Sequence, residues 1–164
     1  MGKQRKLTAG ETALARTAFG NKIDYAAVRL SDGPGSNAAA HIAFMKGNPA
    51  ITIGNTIYFK EGFAADFSVA GANGRTFMHE MTHVWQYRTL GMTAFFIRYG
   101  ADLFQAGGKP DDMYKYGEGT KFTEAMLEAQ AQMVGDYHRA TTGGNAEATK
   151  RLAKNLAGSG LYGL

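Results

Sequence analysis

The sequence predicts an α+β fold in which a small antiparallel sheet or hairpin precedes a helical subdomain. Runs of strand-forming residues, "YAAVRL" and "AITIGNTIYF", lie before Lys60, while helical periodicity dominates from Arg75 onward. Strands first and helices later, without alternation, read as α+β. A chain of 164 residues with 45% hydrophobic and 12% aromatic side chains fits a single domain, 1–164, with its own core.

Residues 1–6, which include the basic cluster "KQRK", are expected to fray at the terminus. "LTAGETALARTAFG" reads as a helix: Thr8 caps it, Glu11 three residues later completes a capping box, and Gly20 closes it. Tyr25 to Leu30 forms a strand, and the turn-rich "SDGPGSN" from Ser31 to Asn37 a loop. Two β-rich runs flank Gly54-Asn55 between Ala50 and Phe59, a hairpin signal. After the loop "SVAGANG", a helix runs from Arg75 to Leu90 and stops at Gly91. "MTAFFIRYGADLF" is a further helix, and "GGKPDDMYKYGEGTK" an irregular segment. Phe122, Met126, Ala129, Met133 and Tyr137 recur at helical spacing and mark a helix from Thr123 to Ala140. A last helix, Asn145 to Leu156, precedes a glycine-rich tail.

Composition narrows the chemistry. With no cysteine, any metal must be held by His, Asp, Glu or water. A net charge of +4, without aromatic residues interleaved among the basic ones, argues against nucleic acid as a partner. The polar Met1 to Gly10 lacks the apolar region of a signal peptide, and "MTAFFI" is too short to span a bilayer. The expectation is a monomer without stable membrane insertion that is cytosolic, an excised domain, or exported by a route needing no cleaved signal.

The stretch "TFMHEMTHVWQYR" carries the chemistry. His79 and His83, at i and i+4, share one helix face and can direct imidazole nitrogens at one point, as zinc requires. Glu80 lies about 100° round the helix from His79, within reach of a metal-bound water without being a ligand. It is the candidate general base. HExxH arises by chance about once in 250 chains of this composition, and the apolar neighbours Phe77, Met78, Met81, Val84 and Trp85 imply that both histidines are partly buried and need partners.

Two histidines leave zinc short of a third protein ligand. Gln86 and Thr89 stand where a metzincin would place a glycine and a third histidine, which excludes that class. Glu128 is the leading candidate: it shares a helix face with Glu124, Ala131 and Gly135, and the small residues would let its helix approach the His79 helix closely. Asp111 and Asp112 are rival loop ligands, and His138 and His41 further candidates. Asp136 is a candidate to orient a ligand histidine. Tyr114 and Tyr116 are candidate donors to the oxyanion of amide hydrolysis. The Ala50 to Phe59 hairpin could bind an extended peptide along an exposed strand edge.

Taken in order, "LTAGETALARTAFGNKIDYAAVRL", "ITIGNTIYF", "HEMTHVWQ" and "EAQAQMVGDY" give the chain a resemblance to a bacterial family. It resembles the HExxH metallopeptidase domains at the C-termini of type VI secretion VgrG spike proteins and their relatives in Rhs toxins and contractile injection systems. The resemblance implies a zincin-like fold with a gluzincin-like site: one zinc per chain on His79, His83 and Glu128, with Glu80 as base. The family's usual Glu-Gln-Gln-Ala reads Glu128-Ala129-Gln130-Ala131 here, keeping the ligand. The resemblance further implies an antibacterial or host-directed effector, carried by or fused to a secretion spike and delivered to a bacterial periplasm or a host cytosol. Its partners would be a peptide or protein substrate and a cognate immunity protein. The alternatives are a non-catalytic, zinc-stabilised cargo or binding module and a zinc amidase acting on cell-wall peptide cross-links.

Overall fold

A computed structural model describes residues 3–164, with four strands and six α-helices among them. The strands are β1 (Gln4–Arg5), β2 (Arg29–Asp32), β3 (Ala50–Ile53) and β4 (Thr56–Phe59), in the spatial order β1-β2-β4-β3. The helices are α1 (Ala9–Phe19), α2 (Ala38–Met45), α3 (Gly74–Leu90), α4 (Met92–Gln105), α5 (Leu127–Thr142) and α6 (Ala146–Leu156). None is long and apolar enough to cross a membrane.

The sheet is mixed, not antiparallel as expected: β2 pairs with β4 in parallel, while β1–β2 and β3–β4 are antiparallel. A parallel pair needs a crossover, which α2 and β3 supply. The strand predicted from Tyr25 starts later, because Tyr25–Ala27 winds into a 3-10 turn and β2 begins only at Arg29. α2 starts where a loop ends, with the Asn37 side chain accepting from Ala40 N at 3.0 Å. The β3–β4 hairpin forms as expected, with Gly54 at φ +61° supplying the turn.

Of residues 1–6, expected to fray, Met1 and Gly2 lie outside the described residues. Gln4 and Arg5 pair with β2, and the Arg5 guanidinium makes two 2.8 Å bonds to the Glu11 carboxylate and one of 2.7 Å to Ala64 O. Glu11 completes the capping box on Thr8 and also accepts from Phe67 N at 2.9 Å. One fully buried carboxylate therefore ties the N-terminus to α1 and to the loop before α3.

Alternation along the strands sorts side chains between two layers. Ile57 and Phe59 of β4 face the main core with α1 and α3, where Phe59, Phe67 and Phe77 stack at 4.8 and 5.5 Å. Tyr58 of β4, with Ile51 and Ile53 of β3, faces α2. β3 is thus an edge strand whose inner side chains, Ala50 and Thr52, meet α3 at the level of His79 and Glu80.

α5 packs directly on α3. Gly135 permits it: a Cβ there would stand 2.9 Å from the Arg75 carbonyl and 3.6 Å from His79 Cβ. α5 begins at Leu127, later than the periodicity suggested, because Phe122–Glu124 forms a separate 3-10 turn. No side chain of its own caps it; Asp102 of α4 accepts from Leu127 N at 2.8 Å instead. That bond fixes the helix start one residue before Glu128.

Candidate metal centre

His79, His83 and Glu128 converge. His79 Nε2 and His83 Nε2 each lie 3.1 Å from Glu128 Oε2 and 3.3 Å from one another. Four-coordinate zinc, with bonds of about 2.0–2.1 Å, sets its ligand atoms about 3.3 Å apart. The donor triangle matches that spacing, so the site fits a tetrahedral cation with three protein ligands and one open position. The donor set also suits zinc chemically, being two imidazoles and a carboxylate.

The surroundings keep the ligands in these orientations. His83 Nδ1 donates to Gln86 Oε1 at 2.8 Å, so that in the neutral ring Nε2 is the nitrogen left to a metal. The Gln86 amide is itself fixed, since its Nε2 donates to Leu127 O, which can only accept, and to Gln130 Oε1, both at 3.0 Å. Gln130 Nε2 in turn donates to Phe122 O at 2.8 Å. A buried chain of amides thereby links the His83 ring to the backbone beside Glu128. Tyr99 of α4 donates to Glu128 Oε1 at 3.3 Å, leaving Oε2 toward the histidines.

The electrostatics follow from crowding these groups out of water. Burial opposes charge on His83, yet the adjacent Glu128 carboxylate outweighs it and raises the imidazole. Burial likewise opposes ionisation of Glu128, and His83 and His79 overcome it, holding the carboxyl well below the ordinary range. Burial and then the Glu128 charge push the Tyr99 and Tyr114 phenols up, so both remain hydrogen-bond donors at neutral pH. Glu128 also sits in the first turn of α5, where the helix dipole favours an anion.

Glu80 is not part of the donor triangle and is held separately. Its Oε2 accepts from Thr52 Oγ1 of β3 at 2.7 Å, and both side chains are buried. It lines the same cleft as the three ligand candidates, a space of about 160 Å³ bounded by β3, α3, α4 and Tyr114. Tyr114 ends a 3-10 turn, Pro110–Tyr114, and stacks on His79 with ring centroids 5.8 Å apart.

Tyr116 and Asp136 do not join this group. Tyr116 Oη donates to Asp136 Oδ2 at 2.6 Å, and Arg75 Nε donates to Asp136 Oδ1 at 2.8 Å. Both carboxylate oxygens are thus occupied by partners other than a histidine, and the position expected to orient a ligand is filled by Gln86. Asp111 is exposed, Asp112 pairs with Lys115, His41 Nε2 lies 3.0 Å from Gly35 O, and His138 lies against Gly74; none lines the cleft. Sequence reasoning missed Thr52, Gln86, Tyr99 and Gln130. Gln86 carried a signal, being one turn of helix beyond His83 on an otherwise apolar face; the others act across long sequence separations that no local pattern reveals.

Comparison with known proteins places the chain. The eCIS core domain family matches residues 6–91, from before α1 to the end of α3. The type VI secretion system spike protein VgrG2b of Pseudomonas aeruginosa is 29% identical over 153 residues, covering 91% of this chain but 14% of the spike protein's length. The solved effector domain of Pseudomonas aeruginosa VgrG2b superposes with a TM-score of 0.67 at 31% identity, covering 93% of this chain and 83% of that domain.

Proposed function

This chain belongs to the eCIS core domain family and is a homologue of the VgrG2b effector domain, and on that premise we propose that it is a zinc-dependent peptidase delivered as a secretion-system effector. The observation that carries the reading is the relation of Glu80 to the donor triangle. Zinc in a structural role is closed by a fourth protein ligand, whereas a catalytic site keeps three and leaves a position open. Here three donors converge, and beside them a buried carboxylate is held on Thr52 in the same cleft.

His79, His83 and Glu128 would hold the metal, which when bound supplies Lewis acidity that lowers the pKa of water and polarises an amide carbonyl. Glu80 Oε1, free of the bond to Thr52, accepts a proton from the attacking water as its oxygen bonds to the carbonyl carbon. The same carboxyl then returns that proton to the departing amine as the C–N bond breaks. Thr52 keeps Glu80 from swinging toward the histidines. The Tyr114 phenol, protonated and in the cleft, donates to the developing oxyanion. The edge strand β3 lines the cleft, and apart from the Thr52 carbonyl, which accepts from Tyr87 Oη at 3.3 Å, its outer backbone groups would align an extended substrate by main-chain pairing.

Delivery follows from the relatives: VgrG2b is a spike protein, and attachment to such a spike would carry this domain into a target cell without a signal peptide. The test is expression in Escherichia coli with and without a periplasmic signal sequence, alongside Glu80→Gln, with zinc content measured on each purified protein. Zinc-loaded wild type is expected to be toxic in one compartment and Glu80→Gln to be harmless with its zinc retained. Equal toxicity of the two would contradict the peptidase reading, and zinc binding without hydrolysis of any protein or peptide would favour a zinc-stabilised cargo module.

A further inference from the structure

The proposed peptidase reading leaves its substrate open, and the walls of the cleft bear on it. Apart from Glu80 and the donor triangle, the side chains lining the space carry no formal charge. Glu128 is turned to the histidines and Tyr99, and Glu80, held on Thr52 through Oε2, keeps Oε1 for the attacking water, so in this reading neither carboxylate is placed to receive a basic substrate side chain. An acidic one would meet both carboxylates at close range. A charge brought into such a space is desolvated without a partner, which costs far more than the same step for an apolar group.

The apolar lining does not stop at the mouth. Phe95 is buried, stacked on Tyr87 at 3.8 Å, and forms the floor beside His83. The next residue, Phe96, lines the cleft yet is 52% exposed, and Ile97 beside it is 70% exposed. Met92, one turn earlier, is also exposed, while β3, through Ala50 and Thr52, forms the opposite wall. Phe96 and Phe95 thus carry apolar surface from solvent into the cleft where the three donors meet, with Met92 and Ile97 exposed on the same turns of α4. Exposed aromatic and aliphatic side chains grouped beside a cleft mark a binding surface more often than isolated ones do.

We infer that the cleft selects a polypeptide segment bearing large apolar or aromatic side chains next to the scissile bond, and that Phe96 is the specificity-determining residue, taking the substrate side chain against its ring. The inference rests on the peptidase reading. Its occupant is an extended stretch of substrate between β3 and α4, where an edge strand and apolar side chains line the same cleft. Phe96 acts on recognition; the proton is moved by Glu80 and the oxyanion is met by Tyr114.

The experiment uses an equimolar peptide library with two adjacent randomised central positions. It has two arms: cleavage by zinc-loaded wild type, read by mass spectrometry, and retention by the zinc-loaded Glu80→Gln protein, which reads binding without hydrolysis. Both arms are expected to enrich Phe, Leu, Ile, Met and Tyr and to deplete Asp, Glu, Lys and Arg. For a peptide chosen from the enriched set, Phe96→Ser is expected to raise KM roughly tenfold while changing kcat less than about threefold. Phe96→Leu is expected to restore most of the loss.

Enrichment on the Glu80→Gln protein with no cleavage by wild type would support the inference and sink the peptidase reading. Cleavage with a preference for charged side chains, or a Phe96→Ser effect confined to kcat, would overturn the inference and leave the peptidase reading standing. Absence of enrichment in both arms would overturn both. Retention by vesicles of phosphatidylglycerol and phosphatidylethanolamine that Phe96→Ser abolishes, without selectivity among peptides, would overturn the inference by making the same face a membrane contact.

Discussion

Two polar clusters join the same pair of helices, and they differ in what they leave undone. Near the start of α3, Arg75 bonds Asp136 of α5, which also accepts from Tyr116; charge is balanced and both carboxylate oxygens are satisfied. One turn along α3, His79 and His83 meet Glu128 with three acceptor-capable atoms aimed at one another. The first cluster is complete without help and sits partly in solvent, with side-chain exposures of 33% and 27% for the ion pair. The second is largely buried and brings two imidazole nitrogens and a carboxylate oxygen to one point, a set of atoms that a cation would complete. Polar contacts across a helix interface can thus be either a clasp or a socket, and the number of donors still available tells them apart.

Substitution of Glu128 by Ala is expected to have the largest effect. It removes one of three protein ligands and leaves two buried histidines facing each other, so zinc content measured by plasma mass spectrometry should fall from one per chain to near zero. The loss should carry with it the part of the thermal stability that metal binding contributes.

Gln86→Leu tests whether the socket depends on its orienting chain. The substitution removes the acceptor for His83 Nδ1 and strands Gln130 Oε1 and Leu127 O. Zinc affinity, measured by competition with a chromophoric chelator, should fall about 10–100-fold with zinc still bound at saturation. Unchanged affinity would show that the His79 and Glu128 geometry alone sets the site.

Gly135→Ala probes the close approach that both clusters require. The new methyl would lie 2.9 Å from the Arg75 carbonyl, a backbone atom that cannot turn aside. Urea denaturation should show a loss of about 1–3 kcal/mol. Because the substitution lies between the clusters, it should weaken zinc binding as well as stability.

Asp136→Asn should matter least. A partly exposed ion pair is worth about 0–1 kcal/mol, and the remaining amide still accepts from Tyr116 or Arg75. Zinc content should be unchanged. A loss of zinc in this variant would revive Asp136 as a residue that orients the ligands.

These comparisons bear on what one sequence can reveal. His79, Glu80 and His83 were legible because their spacing is local and helical, and the hairpin at Gly54 because glycine in a two-residue turn is local too. Glu128 was legible only through the need for a further ligand and the small residues Ala131 and Gly135 on its face. The parallel pairing of β2 with β4 was not, since strand direction is set by a crossover rather than by the strand's own residues. α2 was missed although Asn37 stood at its cap, because the preceding Gly and Pro residues read as an uninterrupted loop. Tyr114 and Tyr116 looked interchangeable until the 3-10 turn sent one toward His79 and the other toward Asp136. Asp102, capping α5 from α4, belongs to a class of contact that no sequence window contains.

The central claim is that the socket holds a metal for catalysis, and it is tested most directly by pairing zinc stoichiometry with peptide hydrolysis on the same preparations of wild type and Glu80→Gln, purified without chelators. The account predicts one zinc per chain in both proteins and hydrolysis by wild type alone. Wild-type protein that binds no zinc, or Glu80→Gln protein that hydrolyses peptide at the wild-type rate, would contradict it.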